Sequence, residues 1–157
     1  MLSMLIDEGK TAPAFSLNDQ NGKTHRLSDY EGKPVILYFY PKDDTPGCTK
    51  ESCAFRDNLP QFKKSKAAVF GVSILDEASK KRFADKFDLT FPLLADVDHK
   101  VAEKYGVWQK KSLYGRAFMG IVRTTYLIGE DGKVAKRWDK VKVDGHAEDV
   151  LKTVQAM

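Results

Sequence analysis

The sequence predicts an α/β protein in which a mixed central sheet is flanked by helices and preceded by an N-terminal β-hairpin extension. The apolar run at residues 35–40 does not alternate with polar residues, which indicates a central strand buried on both faces. Strand and helix patterns then alternate along the chain, as is typical of parallel strands covered by helices. A later hairpin, around the turn at residues 129–132, adds antiparallel strands and makes the sheet mixed.

The first half of the chain is predicted to contain a hairpin, a buried strand and a long helix. Residues 15–18 and 24–27 flank Asn21-Gly22, a strong hairpin signal. After the strand at 35–40, a helix is expected to begin near Thr45, because threonine is a good N-cap and Pro46 suits the first helical position. This helix extends to about residue 65, with a kink or a break at Pro60.

The second half is predicted to continue the alternation and to end in a hairpin and a helix. Its elements are a strand at 67–74, a helix at 77–87, a short edge strand at 91–95, a helix at 98–105, a loop at 110–117, strands at 119–128 and 133–138, and a helix at 146–155. On the helix at 77–87, Lys80 is expected to point away from the apolar face. Asp43 and Asp44 are expected to be solvated loop charges.

Length and charge limit the class of protein. At 157 residues the chain is expected to form one domain spanning 1–157. The 26 basic and 22 acidic residues are interspersed, which argues against the dense basic stripe of a nucleic-acid-binding protein. Because no apolar run approaches the ~20 residues that span a bilayer, we expect a soluble, cytoplasmic protein with neither nucleic-acid nor membrane partners. In that compartment a cysteine pair is more often catalytic or metal-binding than structural.

The two cysteines, Cys48 and Cys53, lie in the helix that is predicted to follow the buried strand. Backbone N–H groups in the first turn of a helix point towards a side chain there, and the macrodipole favours negative charge. Cys48 is therefore the better nucleophile, since Cys53 lies near the helix middle. Thr45 can offer a hydroxyl to the same site. Two thiols alone do not complete the tetrahedral ligand set of zinc, so a reactive thiolate with a second thiol nearby is the favoured interpretation.

The spacing of the two thiols restricts how they could bond. Five residues along a straight helix separate two Cα atoms by roughly 8.7 Å, whereas a disulfide needs them within about 7 Å. If Cys48 and Cys53 share an intact helix, at least one turn must therefore unwind before they can form a disulfide.

The segment from Tyr40 to Cys53 resembles the active site of the peroxiredoxins. The pattern Pro41-x-x-x-Thr45-x-x-Cys48 matches their active-site motif, and the fuller string is similar to the bacterioferritin-comigratory-protein (BCP), or PrxQ, subfamily. Residues 9–15 resemble the opening of the family, and residues 106–108 and 120–126 resemble its later blocks. The resemblance thus extends over nearly the whole chain.

This resemblance implies a thioredoxin-like fold and a thiol-specific peroxidase for hydrogen peroxide and organic hydroperoxides. Cys48 would be the peroxidatic cysteine, and Cys53 would resolve its sulfenic acid as an intramolecular disulfide. The other implied site residues surround the thiolate: Thr45 and Arg123 to polarise the peroxide, Pro41 to shield the pocket and Glu51 to orient the arginine. The resemblance also implies recycling by thioredoxin or a similar dithiol protein, a monomer, and no metal, haem or flavin.

Two other functions remain open on the sequence. A protein dithiol-disulfide oxidoreductase would exchange disulfides but consume little peroxide. A peroxide-sensing or chaperone-like binding protein would change a surface on oxidation without turnover. Arg123 has two open interpretations as well: an arginine within the apolar strand at 119–128 costs several kcal/mol unless it is paired, and otherwise it lies at a surface edge.

The spacing of the cysteines gives a testable prediction. Oxidation that joins Cys48 to Cys53 is expected to accelerate amide hydrogen exchange in residues 45–56, because at least one helical turn must open. Exchange measured on reduced and oxidised protein checks this. Equal protection of residues 45–56 in the two redox states would contradict it.

Overall fold

A five-stranded mixed sheet lies at the centre of the computed structural model, which describes residues 4–157. Its strands are β3 (Val35–Phe39), β4 (Ala68–Ser73), β5 (Leu93–Ala95), β8 (Thr124–Ile128) and β9 (Val134–Trp138). They are arranged in the order β5-β4-β3-β8-β9. The helices are α1 (Pro46–Asp57), α2 (Leu59–Lys64), α3 (Glu77–Phe87), α4 (Lys100–Lys104) and α5 (His146–Gln155).

Strand β3 holds the middle of the sheet, as its unbroken apolar sequence predicts. It pairs in parallel with β4 and antiparallel with β8, and all five of its side chains are buried. Alternate side chains enter two separate cores: Ile36 and Tyr38 pack with α1, α2, α3 and α5, whereas Leu37 and Phe39 pack on the other face around Tyr105. The expected mixed sheet with flanking helices is confirmed.

The predicted long helix is broken near Pro60, as expected. Helix α1 ends at Asp57, and α2 begins one residue after Asn58. Pro60 occupies the first turn of α2, where its missing N–H leaves no hydrogen bond unmade. The amide of Asn58 closes the first helix by donating to the Ala54 carbonyl at 3.2 Å.

The N-terminal hairpin is confirmed, and a second hairpin replaces a predicted loop. Strands β1 (Ser16–Asn18) and β2 (Thr24–Arg26) pair antiparallel around the expected turn. Residues 110–117, predicted to be a loop, instead belong to strands β6 (Trp108–Leu113) and β7 (Arg116–Ile121), which pair antiparallel outside the central sheet. The turn Tyr114-Gly115 has positive φ at both residues, which is the geometry of a tight hairpin.

The apolar run at 119–128 is two strands, so the prediction of one strand was wrong. It splits between β7 and β8 at Val122 and Arg123, and the two strands belong to different sheets. At the split, the Val122 amide donates to the Val107 carbonyl at 2.9 Å, and the Thr124 hydroxyl donates to the Val122 carbonyl at 2.8 Å. Because Arg123 lies outside both strands, the alternation of side chains between the two faces of a strand does not fix the direction of its side chain.

A buried polar cluster joins α3 to the loop before α1 and overturns two expectations. Lys80 is fully buried rather than pointing to solvent, and Asp43 is 6% exposed rather than solvated. The Lys80 ammonium donates to Ser73 Oγ at 2.5 Å and lies 3.4 Å from both carboxylate oxygens of Asp43. Asp43 also accepts from the Tyr40 and Ser79 hydroxyls. A buried lysine is tolerated here because partners surround it.

The described residues contain no helix that is long and apolar enough to cross a membrane.

The buried pair gives a stability prediction. Lys80→Met is expected to lower the free energy of unfolding by about 3 kcal/mol, because the Asp43 charge stays buried without its cation. Urea denaturation measures this loss. Lys81→Met is the matched control, since the Lys81 side chain is exposed and its pair with Asp85 lies on the surface; it should change stability by less than about 0.5 kcal/mol. Equal losses in both variants would contradict the buried role of Lys80.

Candidate active site

Cys48 lies in the first turn of α1, directly beyond the loop that leaves β3. Helix α1 begins at Pro46, and Cys48 is 1% exposed. The free amides of this turn and the macrodipole favour negative charge at its sulfur. The sequence predicted Cys48 in the first turn of a helix, and the structure confirms this position.

Arg123 reaches this sulfur from the break between β7 and β8. Its Nη2 donates to Cys48 Sγ at 3.3 Å, and its Nη1 donates to Glu51 Oε1 at 2.6 Å. The guanidinium also lies against Gly47, where an added Cβ would be 3.2 Å from Nη2. One side chain thus binds both the candidate nucleophile and a carboxylate one turn later on the same helix.

Glu51 is a buried carboxylic acid with only one of its oxygens bonded. Its exposure is 1%, and Oε2 has no hydrogen-bond partner among the described residues. Burial raises its pKa from 4.5 to about 7, while the charge and hydrogen bond of Arg123 act in the opposite direction. Near neutral pH the group therefore exists in both protonation states, and the charge that it presents to Arg123 varies with pH.

Pro41 and Thr45 flank the loop that connects β3 to α1. Pro41 is half-buried two residues beyond the end of β3. Thr45 occupies the N-cap position of α1, but its hydroxyl does not cap the helix and donates instead to the Lys42 carbonyl at 2.9 Å. The structure therefore brings together Cys48, Glu51 and Arg123, whereas the Thr45 hydroxyl has a backbone partner of its own.

Cys53 lies on the same unbroken helix as Cys48, and both thiols are free. Cys53 is half-buried, and the spacing of an intact helix keeps it too far from Cys48 for a disulfide. The neighbouring Ser52 hydroxyl is hydrogen-bonded to the Tyr38 hydroxyl at 2.8 Å, which fastens the middle of α1 to β3. The structure therefore shows the two cysteines as thiols without a disulfide between them.

Lys111 is a site neighbour that the sequence did not indicate, because residues 110–117 were predicted to be a loop. It lies on β6, is half-buried, and donates from Nζ to the Ile121 carbonyl at 3.0 Å. Burial lowers its pKa, as does the nearby charge of Arg123, while the sulfur of Cys48 raises it. If the hairpin had been predicted from the sequence, the pairing of β6 with β7, the strand that precedes Arg123, would have been expected.

The residues described, 4–157, contain no cluster of three or more histidine, cysteine or acidic side chains that could hold a metal ion.

The raised pKa of Glu51 predicts how stability changes with pH. Between pH 4.5 and 7 the folded protein keeps a proton that the unfolded chain releases, so the free energy of unfolding falls as pH rises through this window. The contribution is up to about 3 kcal/mol. Glu51→Gln should flatten this part of the profile, as measured by urea denaturation at several pH values. The exposed Glu130→Gln is the control; an unchanged slope in Glu51→Gln would contradict the assignment.

Comparison with known proteins places the chain in a family. Residues 9–137 match the family model described as AhpC/TSA. The chain is 45% identical over 154 residues to peroxiredoxin Bcp of Bacillus subtilis, covering 98% of each chain, and 45% identical over 146 residues to that of Escherichia coli, covering 93% and 94%.

Solved structures give the same result. A mutant of Xylella fastidiosa PrxQ superposes with a TM-score of 0.92 at 37% identity, covering 98% of each chain. The bacterioferritin comigratory protein of Xanthomonas campestris superposes with a TM-score of 0.89 at 37% identity, covering 96% of this chain and 98% of that one. The expected thioredoxin-like fold is thereby confirmed. The chain belongs to the AhpC/TSA family and, within it, to the BCP/PrxQ peroxiredoxins.

Proposed function

We propose that Cys48 is the peroxidatic cysteine of this thiol peroxidase and that it reduces hydrogen peroxide and organic hydroperoxides. The observation that carries the assignment is the 3.3 Å hydrogen bond from Arg123 to a buried sulfur in the first turn of a helix. A fixed cation and free backbone amides both favour the thiolate, which is the nucleophilic form. Alkyl peroxide reduction activity is described for the bacterioferritin comigratory protein of Xanthomonas campestris.

In the proposed reaction the Cys48 thiolate attacks the terminal oxygen of the hydroperoxide. The S–O bond forms as the O–O bond breaks, the sulfur is oxidised to sulfenic acid, and the alcohol or water leaves after its oxygen takes up a proton. Arg123 stabilises the negative charge that moves from sulfur to the departing oxygen. Glu51 orients the guanidinium, Pro41 shields the sulfur from solvent, and Thr45 donates its hydroxyl to the peroxide after leaving the Lys42 carbonyl.

Cys53 then resolves the sulfenic acid. Its thiol attacks the oxidised sulfur of Cys48, the disulfide forms and water leaves, so that the overall reaction consumes both thiol protons. Because α1 is continuous between the two cysteines, this step follows unwinding of the first turn. The hydrogen bond between Ser52 and Tyr38 holds the helix middle, which favours opening at the end that carries Cys48.

We infer that thioredoxin or a similar dithiol protein reduces the disulfide and returns the enzyme to its starting state. Such a cycle suits an antioxidant enzyme that acts as a cytoplasmic monomer in one domain. No metal, haem or flavin takes part in the proposed cycle. The bacterial relatives and the free thiol pair support this proposal.

Peroxide consumption with thioredoxin, thioredoxin reductase and NADPH tests the cycle. Cys48→Ser should abolish turnover, because no other thiolate contacts Arg123 among the described residues. Cys53→Ser should consume about one peroxide per chain and then stop as a sulfenic acid unless an external thiol is added. Intact mass after one equivalent of peroxide, with and without alkylation, identifies the product.

Three outcomes would contradict the proposal. Wild-type turnover in Cys48→Ser would exclude Cys48 as the nucleophile. Disulfide exchange with negligible peroxide consumption would indicate a dithiol oxidoreductase instead. Stoichiometric oxidation without turnover, even with excess reductant, would indicate a peroxide-sensing or chaperone-like protein.

A further inference from the structure

A second cationic side chain, Lys111, contacts β7, the strand that precedes Arg123. Lys111, on β6, is paired across the hairpin with Phe118 of β7. Its ammonium reaches along the hairpin and donates to the carbonyl of Ile121, the last residue of β7, at 3.0 Å. Only Val122 separates Ile121 from Arg123. Lys111 therefore fixes the end of β7 immediately before the residue that contacts Cys48.

Lys111 and Arg123 both occupy space that is left open by a glycine. A Cβ at Gly120 would lie 3.2 Å from Cδ of Lys111, and a Cβ at Gly47 would lie 3.2 Å from Nη2 of Arg123. Neither glycine has a positive φ, so backbone conformation does not require glycine at either position. What both positions share is a long cationic side chain packed where a methyl group would crowd it.

Charge counting shows what a second cation would contribute. The guanidinium of Arg123 is shared between Cys48 and Glu51, and its contact with Glu51, at 2.6 Å, is the shorter one. When Glu51 is ionised, one cation faces two anions. Burial and Arg123 lower the pKa of Lys111, and Cys48 raises it; in its charged form Lys111 makes the group of four neutral.

Other titratable groups near this cluster do not supply that charge. Burial raises the pKa of Tyr38 well above its ordinary value, so this phenol stays neutral. Burial lowers the pKa of His146, on α5, to about 4, and Arg123 acts in the same direction. Tyr38 and His146 therefore add no positive charge at pH 7, which leaves Arg123 and Lys111 as the cationic side chains of this cluster.

We propose that Lys111 is a positioning residue of the peroxidatic centre, which fixes the end of β7 so that Arg123 points at Cys48 and supplies a second positive charge that favours the thiolate. Gly120 provides the space in which Lys111 lies. The proposal rests on the function proposed for Cys48. It extends the site from one helix and one strand break to the hairpin formed by β6 and β7.

The reactivity of a single thiol tests the proposal independently of turnover. In a Cys53→Ser background, the rate of Cys48 alkylation by iodoacetamide is measured from pH 5 to 9, together with oxidation by one equivalent of hydrogen peroxide. Lys111→Met should move the alkylation profile to higher pH and lower both rates at pH 7 by roughly three- to tenfold. Lys111→Arg, which keeps the charge, should stay within about twofold of the background protein.

Lys110→Met is the matched control, because successive residues of a strand point to opposite faces and Lys110 is exposed. It removes the same charge from the surface and should leave both rates unchanged. Gly120→Ala should lower both rates while Lys111 is retained, since it displaces that side chain. Urea denaturation of each variant establishes that it is folded.

Unchanged rates in a folded Lys111→Met variant would overturn the proposal, as would equal losses in Lys110→Met and Lys111→Met. Failure of the proposed function is distinguishable, because it would appear as peroxide turnover in Cys48→Ser whatever residue stands at position 111.

Discussion

The guanidinium of Arg123 is the contact on which the site depends, because it connects α1 to the break between β7 and β8, two parts of the fold that are far apart in the chain. Its donor atoms reach Cys48 and Glu51, which precede it by 75 and 72 residues. The arginine can do this because β7 and β8 belong to different sheets and the chain between them is free of either ladder. The break between the two sheets therefore places the cation at the N-terminal end of α1.

The proposed cycle makes two opposing demands on the same helix. Its first turn holds Cys48 against Arg123 for the attack on peroxide, yet the two thiols cannot form a disulfide while that turn is intact. The fold separates these requirements along the helix: Ser52 is fastened to β3 by Tyr38, and the end that carries Cys48 follows a loop. A backbone hydrogen bond contributes only about 1 kcal/mol net, so opening one turn is a modest cost compared with unfolding the domain core.

Much of the fold could be predicted from the sequence, because hydrophobic period and turn chemistry are local. The central strand, the broken helix at Pro60 and α5 all follow from such signals. The β6–β7 hairpin could not be predicted in this way, since most of its residues are exposed and no buried face imposes a pattern. The break before Arg123 was hidden because the apolar run continues through it.

The polar interior was also beyond the reach of the sequence. Lys80 and Asp43 lie 37 residues apart, and each looks like a surface charge until the other is placed beside it. The same holds for the candidate site. Cys48 and the start of its helix could be predicted from a motif, whereas the position of Lys111 depends on a hairpin that the sequence did not indicate. Pairing between distant charges decides burial, and a pattern read along one segment does not contain that information.

The glycine in the first turn of α1 has a consequence for engineering. Replacing a helical glycine with alanine commonly stabilises a protein by about 0.4–1 kcal/mol, because the unfolded chain loses freedom, and Gly47 has no positive φ to forbid it. At this position, however, the added methyl group would lie 3.2 Å from Nη2 of Arg123, so the guanidinium must shift to accommodate it. A Gly47→Ala change chosen for the entropy of the unfolded chain would therefore move the cation that contacts Cys48.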